Sequence, residues 1–390
     1  MPKPFPLLVA TEVPGSGLGR FSVELANALE QAGLCVTFVT PPQQYGIAVS
    51  ETVGLALPTG SRRSDKIAAL CRSSLRIGQE VLKRAGKRQP FLLIHLTPTL
   101  PVSLAPLIAA KLKGARAILN LHDFYPHTMR FPARLHWLER YIYRWAYRRF
   151  DLVVTNNAEQ TRRLIEEAGV PEKRIVTLFH GPFAVEHLRA PDGPERSLRL
   201  LVFGSIRPNK QVLESIRAVR KLREQGLDVE LRIAGAPRRE DAAYAQACLA
   251  EIPDDQHGFD VQARFIADED LPIILSQVDA MLCPYVGFDS QSGVAVTAVS
   301  NGIPLIRTPN VGVPNVDMGD APWPDVAPVA DAEAIAQAIT AFAAIPRAGR
   351  QAQAAVLKER FLDVAGWGRL AQLYVSAMQR AGVQGDSSCQ

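Results

Sequence analysis

Short apolar runs alternate with longer amphipathic stretches through most of this 390-residue chain, and that alternation restricts it to an α/β fold built on parallel sheets. PFPLLVAT, CVTFVT, FLLIHL, RAILNLH and DLVVTN read as strands. Between them, FSVELANALEQAG closes on Gly33 as a helix, and SDKIAALCRSSLRIGQEVLKRAG, SLAPLIAAKLKG and the stretch from Leu135 to Phe150 carry helical patterns that serve as crossovers. Gly15 to Gly19 reads as a loop joining the first strand to the first helix.

The pattern pauses at HLRAPDGPERS, whose proline, glycine and charge mark a linker, and then restarts. Strand LRLLVFG is followed by helix LESIRAVRKLREQG, strand DVELRIAG, helix DAAYAQACLAEI, strand VQARFIA, helix LPIILSQV and strand DAMLCPY. The break falls between residues 186 and 198. It predicts domains over 1–190 and 191–366, with a last helix from Trp367 to Gln379 in a terminal segment, 367–390, that crosses back to the first domain.

Two segments of the second series carry chemistry. GSIRPNKQ, Gly204 to Gln211, places Arg207 and Lys210 just after a strand; PYVGFDSQSGVAVTAVSNGIPLI, Pro284 to Ile306, sets a glycine-bearing turn before an apolar helix. A diphosphate needs cations and backbone N–H groups that no side chain obstructs. Arg207 offers a planar fork, Lys210 a point charge, and a helix starting near Gly293 its positive end, with Ser292 and Val294 flanking that start. The pair is expected to grip a diphosphate that departs; the bland alternative is a solvated pair in a loop.

Lys and Arg number 44 against 39 acids, an excess of +5, which favours anionic partners without a nucleic-acid motif to match. The five cysteines show no close-pair metal spacing and predict neither zinc nor disulfide, in a reducing compartment. Phe91 to Ala110, the longest uncharged apolar stretch, is broken by Pro98, Pro101 and Pro106, and no membrane span is expected.

With these motifs in place the chain resembles the family 4 glycosyltransferases. The resemblance runs from the glycine loop to the aromatic pair Phe361 and Trp367. It implies two facing Rossmann-like domains with a cleft between them, the GT-B arrangement, and transfer of a sugar from a nucleoside diphosphate sugar to a hydroxyl with retained anomeric configuration. Arg207 and Lys210 match the family's basic pair. Asp289 stands at the first position of its acidic signature and Thr297 at the second, with Gly302 and Pro304 fixing the register. Thr297 departs from the pattern, since one hydroxyl replaces a carboxylate meant for ribose. The loop with Gly17 and Gly19 corresponds to the one that faces the donor phosphate; it also resembles a dinucleotide fingerprint, but no acid closes CVTFVTPP as a dehydrogenase requires. His122, in NLHDFYPHT, takes the place of the family's sugar-contacting histidine, with His127 as a stand-in, while His180 and Gly181 sit where an Asn-Gly often precedes the linker. The base pocket falls to backbone near Gly235 and Phe265. No dedicated base is evident, the leaving phosphate being expected to take the acceptor proton, and nothing resembles the Asp-x-Asp metal motif of other transferases, so neither metal nor other cofactor is expected.

Arg130 to Phe150 holds a stripe of Leu135, Leu138, Ile142 and Trp145, with Arg140, Arg144 and Arg148 in a row beside it and Trp137 and Tyr141 on the arginine side. Such a face suits an anionic membrane and a glycan or lipid-linked acceptor, at the inner face of a cell membrane or in the cytoplasm; a solvated helix packing its stripe on the sheet is the alternative. A turnover-deficient binding protein of the same fold, or a nucleotide-sugar epimerase, remains open beside the transferase.

Overall fold

The computed structural model describes residues 5–13, 16–60, 62–98, 101–126, 129–185, 197–253, 255–288, 291–309, 311 and 324–383. Two compact units divide the chain: 1–181 with 365–390, and 182–364.

In the first unit β1 (Pro6–Thr11), β2 (Cys35–Thr40), β3 (Glu51–Gly54), β4 (Pro90–Ile94), β5 (Arg116–Asn120), β6 (Leu152–Thr155) and β7 (Ile175–Thr177) form one sheet. Its order is β3-β2-β1-β4-β5-β6-β7, and every pairing is parallel. The connections contain α1 (Ser16–Gln31), α2 (Arg63–Arg84), α3 (Ala105–Lys113), α4 (His136–Tyr147) and α5 (Ala158–Glu166). β4 is buried at every position, as a central strand covered on both faces must be. In the second unit β8 (Leu198–Phe203), β9 (Val229–Ala234), β10 (Phe259–Gln262), β11 (Ala280–Cys283) and β12 (Leu305–Arg307) pair in parallel in the order β10-β9-β8-β11-β12. Its helices are α6 (Val212–Glu224), α7 (Ala242–Ala250), α8 (Leu271–Ser276), α9 (Gly293–Ser300), α10 (Ala332–Ala343) and α11 (Arg347–Ala365). The last helix, α12 (Trp367–Arg380), belongs to the first unit, where the hydroxyl of its buried Tyr374 accepts a hydrogen bond from Asn120 Nδ2 at the end of β5.

Four local expectations are corrected. The loop read over Gly15–Gly19 is already helix from Ser16, so Gly17 and Gly19 lie in the first turn of α1. The strand read in VQARFIA starts and ends earlier, as β10, which leaves Phe265 beyond the ladder and 66% exposed. On α4 the buried positions are Glu139, Tyr143, Ala146 and Tyr147, one place on from the expected stripe. A carboxylate is admitted there because Glu139 accepts the backbone N–H groups of Arg130 and Phe131 at 2.9–3.0 Å, which offsets its desolvation. Cys35 is disulfide-bonded, against the expectation of unbridged thiols, while Cys71, Cys248 and Cys283 are free. Sequence distance between cysteines says nothing of their distance in the fold. Among the described residues no helix is long and apolar enough to cross a membrane.

Candidate functional site

Strand β8 ends where Gly204 takes a positive φ of 86°, and the chain then bridges Ile206 to Pro237. Arg207 is extended, Pro208–Lys210 form one tight turn, and Gln211 in the left-handed region opens α6. This fold-back sends the Lys210 side chain inward. Its Nζ donates to the Phe203 carbonyl at 2.8 Å and stands 5.4 Å from the centre of the Tyr285 ring. Burial lowers the Lys210 pKa from 10.5 to about 7, and the adjacent Arg207 charge pushes the same way.

Glycine at 204 is what admits that ammonium: a Cβ there would lie 2.8 Å from Lys210 Nζ and 3.5 Å from Val294. Gly235, at the end of β9, is more constrained still, since a Cβ would meet the Gly204 carbonyl oxygen at 2.2 Å. Its own N–H is committed to Gln262 at 3.0 Å.

The helix start lies against this loop. Ser292 caps α9 by accepting the Ala295 N–H at 3.2 Å, and it hydrogen-bonds the buried Tyr285 hydroxyl. The Val286 N–H donates to the Asn209 carbonyl at 2.9 Å and ties the two segments together. Gly204, Arg207, Lys210, Ser292, Gly293 and Val294 are therefore brought together within one unit. Thr297 lies one turn further along, and its hydroxyl donates to the Gly293 carbonyl at 2.8 Å, leaving only its lone pairs for a ligand. Gly293 is not sterically obligatory, as a Cβ would be in ordinary contact with Phe183 at 3.5 Å. Asp289 and His127 lie outside the described residues.

Sequence reading missed two groups here. Tyr285 walls the ammonium and links it to the helix cap; its place at the end of strand DAMLCPY was the available signal. Asn209 Oδ1 is buried without a hydrogen-bond partner between Arg207 and Lys210, an acceptor awaiting a donor.

In the first unit His122 follows β5, and Gln160 Nε2 holds its carbonyl at 2.6 Å. Its ring meets Phe21 of α1 edge-on at 4.6 Å and His180 at 6.2 Å. Burial holds the His122 pKa well below the usual imidazole range, with His180 and His95 adding to the effect, so the ring is neutral. Its Nε2 is buried and has no hydrogen-bond partner. His180, pushed down to about 4 by burial, is tied through Nδ1 to the Gly181 carbonyl at 2.8 Å. Gly17 is exposed in the first turn of α1, whereas Gly19 is buried.

Comparison with known proteins matches residues 16–180 to the Glycosyl transferase 4-like domain and residues 197–344 to Glycosyl transferases group 1. A relative in Escherichia coli K12, "Putative colanic acid biosynthesis glycosyltransferase WcaL", is 27% identical over 213 residues, which are 51% of this chain and 49% of that one. This chain thus spans about half the length of that relative. Among solved structures, Anabaena Alr3699/HepE with UDP and glucose superposes at a TM-score of 0.69 and 14% identity, covering 95% of this chain and 99% of that one. A Rickettsia africae glycosyltransferase gives 0.67 at 13% identity, over 98% and 99% of the two chains. WaaG, a glycosyltransferase involved in lipopolysaccharide biosynthesis, gives 0.65 at 14% identity, over 97% and 100%.

Proposed function

We propose that this chain, which belongs to the family 4 glycosyltransferases of GT-B fold, transfers a sugar from a nucleoside diphosphate sugar to a hydroxyl of a glycan or lipid-linked acceptor, with retention and without a metal. The observation that carries this reading is the convergence of Arg207, Lys210 and the first turn of α9 around Gly204. Charge grows on the diphosphate as the glycosidic bond breaks, and preorganised cations and N–H groups act where that growth occurs. Arg207 takes phosphate oxygens as a fork. Lys210, held by burial near the midpoint of its titration, gains a proton and full charge when the anion arrives.

The other assignments follow the same logic. Asp289 is the carboxylate for hydroxyls of the transferred sugar, His122 offers its unpartnered Nε2 to the same sugar, and Thr297 accepts from a ribose hydroxyl. Gly17 and Gly19 open the start of α1 to the donor phosphate. Phe265, exposed beyond β10 and close in sequence to the Gln262 partner of Gly235, is the surface for the base. The donor assigned first is UDP-glucose, because HepE has been crystallised with UDP-glucose. Metal independence rests on the one Asp-x-Asp triplet, Asp268 to Asp270, being an unburied turn in which Asp270 is already held by Arg264 at 2.9 Å. The exposed Trp137 and Tyr141 of α4, beside its arginines, are assigned to the inner face of a cell membrane.

Thermal shift over UDP, GDP and their sugars, followed by donor hydrolysis with and without chelator, tests this. UDP and UDP-glucose are expected to raise the melting temperature and hydrolysis to survive the chelator. If no nucleotide or nucleotide sugar stabilises the chain, the transferase reading gives way to a binding protein of the same fold. Isomerised donor with no acceptor present would identify an epimerase.

A further inference from the structure

α9 is built from GVAVTAVS, with no ionisable side chain along its length. Ser292 takes the Ala295 N–H with its hydroxyl at 3.2 Å and the Val296 N–H with its carbonyl at 2.9 Å, so a phosphate beside Lys210 falls to the N–H groups of Gly293 and Val294. Thr297 stands one turn further on and on the same face as Gly293, because side chains four apart on a helix lie one above the other and lean toward its start. The ribose hydroxyls of a nucleoside lie about one helical turn, roughly 5.4 Å, from its α-phosphate. Thr297 is therefore the first polar side chain of this helix that such a ribose meets.

What Thr297 offers that ribose is limited. It is buried, and its hydroxyl proton is spent on the Gly293 carbonyl at 2.8 Å, a bond that needs no nucleotide. The polar side chains that follow it are spent as well. Ser300 accepts the Phe183 N–H at 3.0 Å and donates to the Val296 carbonyl at 2.7 Å. Asn301 accepts the Val185 N–H at 2.8 Å through Oδ1, and its Nδ2 donates to the carbonyls of Phe183 and Thr297 at 2.9 and 2.7 Å. A site rejects a ligand that lacks one hydroxyl when a buried polar group is left unpaired without it, and an ionised group imposes the largest penalty. Thr297 has its partner in either case. Absence of the 2′-hydroxyl then forfeits at most one neutral hydrogen bond.

We propose that the nucleotide site of the second unit reads the diphosphate and not the 2′-hydroxyl, so that Thr297 admits nucleoside diphosphate sugars of the ribose and 2′-deoxyribose series alike. This rests on the diphosphate grip of Arg207, Lys210 and the start of α9, and it extends the donor class to deoxynucleoside diphosphate sugars.

The test is calorimetric titration of the full chain with UDP and with 2′-deoxy-UDP, which differ in that one hydroxyl. The two dissociation constants are expected to lie within about tenfold of each other, the worth of one neutral hydrogen bond, and a larger preference for UDP overturns the proposal. Thr297→Val, which removes the hydroxyl at similar volume, is expected to bring the ratio to about one; a preference that survives it shows that another group reads the 2′-hydroxyl and takes the role from Thr297. Thr297→Glu places an ionised acceptor at the same point and is expected to open the preference for UDP beyond about 30-fold. An unchanged ratio in a Thr297→Glu chain that binds UDP overturns the proposal as well. Failure of both nucleotides to bind the wild-type chain overturns the diphosphate reading itself, whereas a large preference for UDP leaves that reading standing.

Discussion

If Lys210 holds the donor diphosphate as proposed, donor affinity depends on pH. Its ammonium is depressed to about 7 in the free fold, so from there up to its ordinary 10.5 the unfolded chain holds a proton that the folded chain lacks, and stability rises with pH across that window. A bound diphosphate restores the proton. UDP binding above about pH 7 is therefore expected to take up close to one proton and to weaken by up to about tenfold per pH unit, read by calorimetry in buffers of different ionisation enthalpy. Lys210→Met abolishes the uptake and costs on the order of 100-fold in affinity. It also stabilises the free chain at neutral pH, because a thioether needs no desolvated proton. The two glycines beside Lys210 separate structure from binding. Gly235→Ala drives a Cβ to 2.2 Å from a backbone oxygen that cannot yield, and a loss of at least about 2 kcal/mol in denaturant unfolding is expected. Gly204→Ala presses on the end of the Lys210 side chain, which can shift where backbone cannot, so it costs about 1 kcal/mol for its positive φ but weakens UDP binding by displacing the ammonium.

Elements differ in how plainly they announce themselves. Strands such as FLLIHL and helices such as LESIRAVRKLREQG were legible because their apolar period matches their own geometry, and the α9 start was legible because Ser292 and Gly293 are cap chemistry. What hydrogen bonds decide at a distance was not. α4 buries Glu139 because two backbone N–H groups eight and nine residues earlier need an acceptor, and that moves the buried stripe by one position. Glu12 and Ser74 meet across 62 residues, and Cys35 finds its partner through the fold. The shift on α4 has a consequence. With Tyr143, Ala146 and Tyr147 turned inward, Trp137 and Tyr141 remain 65% and 50% exposed on the side of Arg140 and Arg148. Aromatic rings beside guanidinium groups suit the headgroup region of an anionic bilayer. Sedimentation with vesicles containing phosphatidylglycerol is expected to capture the chain, vesicles of phosphatidylcholine alone to leave it in solution, and Trp137→Ala with Tyr141→Ala to lower capture about 10-fold with UDP binding intact. Equal capture by both vesicle types would remove the membrane assignment.

At the scale of the molecule, the two units are connected differently. The second is one continuous segment, 182–364, whereas the first needs both chain ends. α12 is integral to the first: Trp367 packs against Phe21 with ring centres 5.6 Å apart, and its indole fills the space a Cβ on Gly181 would occupy, at 2.5 Å. Tyr374, fully buried, bonds Asn120 at the end of β5. A chain cut before Trp367 thus uncovers the side of Phe21 that faces Trp367 and removes the Tyr374 partner of the Asn120 amide. The proposed diphosphate grip has no such dependence, since Gly204, Arg207, Lys210, Tyr285, Ser292 and the start of α9 all lie within 182–364 and hold one another through contacts internal to it. Expressed alone, this segment is expected to fold with the circular dichroism of an α/β domain and to bind UDP within about tenfold of the full chain, while losing all sugar transfer. Gly181→Ala, tested in the full chain, is expected to do the reverse and lower stability without reaching the grip. A folded 182–364 fragment that failed to bind UDP would show that the cations near Gly204 are insufficient on their own, and the proposed role of Arg207 and Lys210 would fall with it.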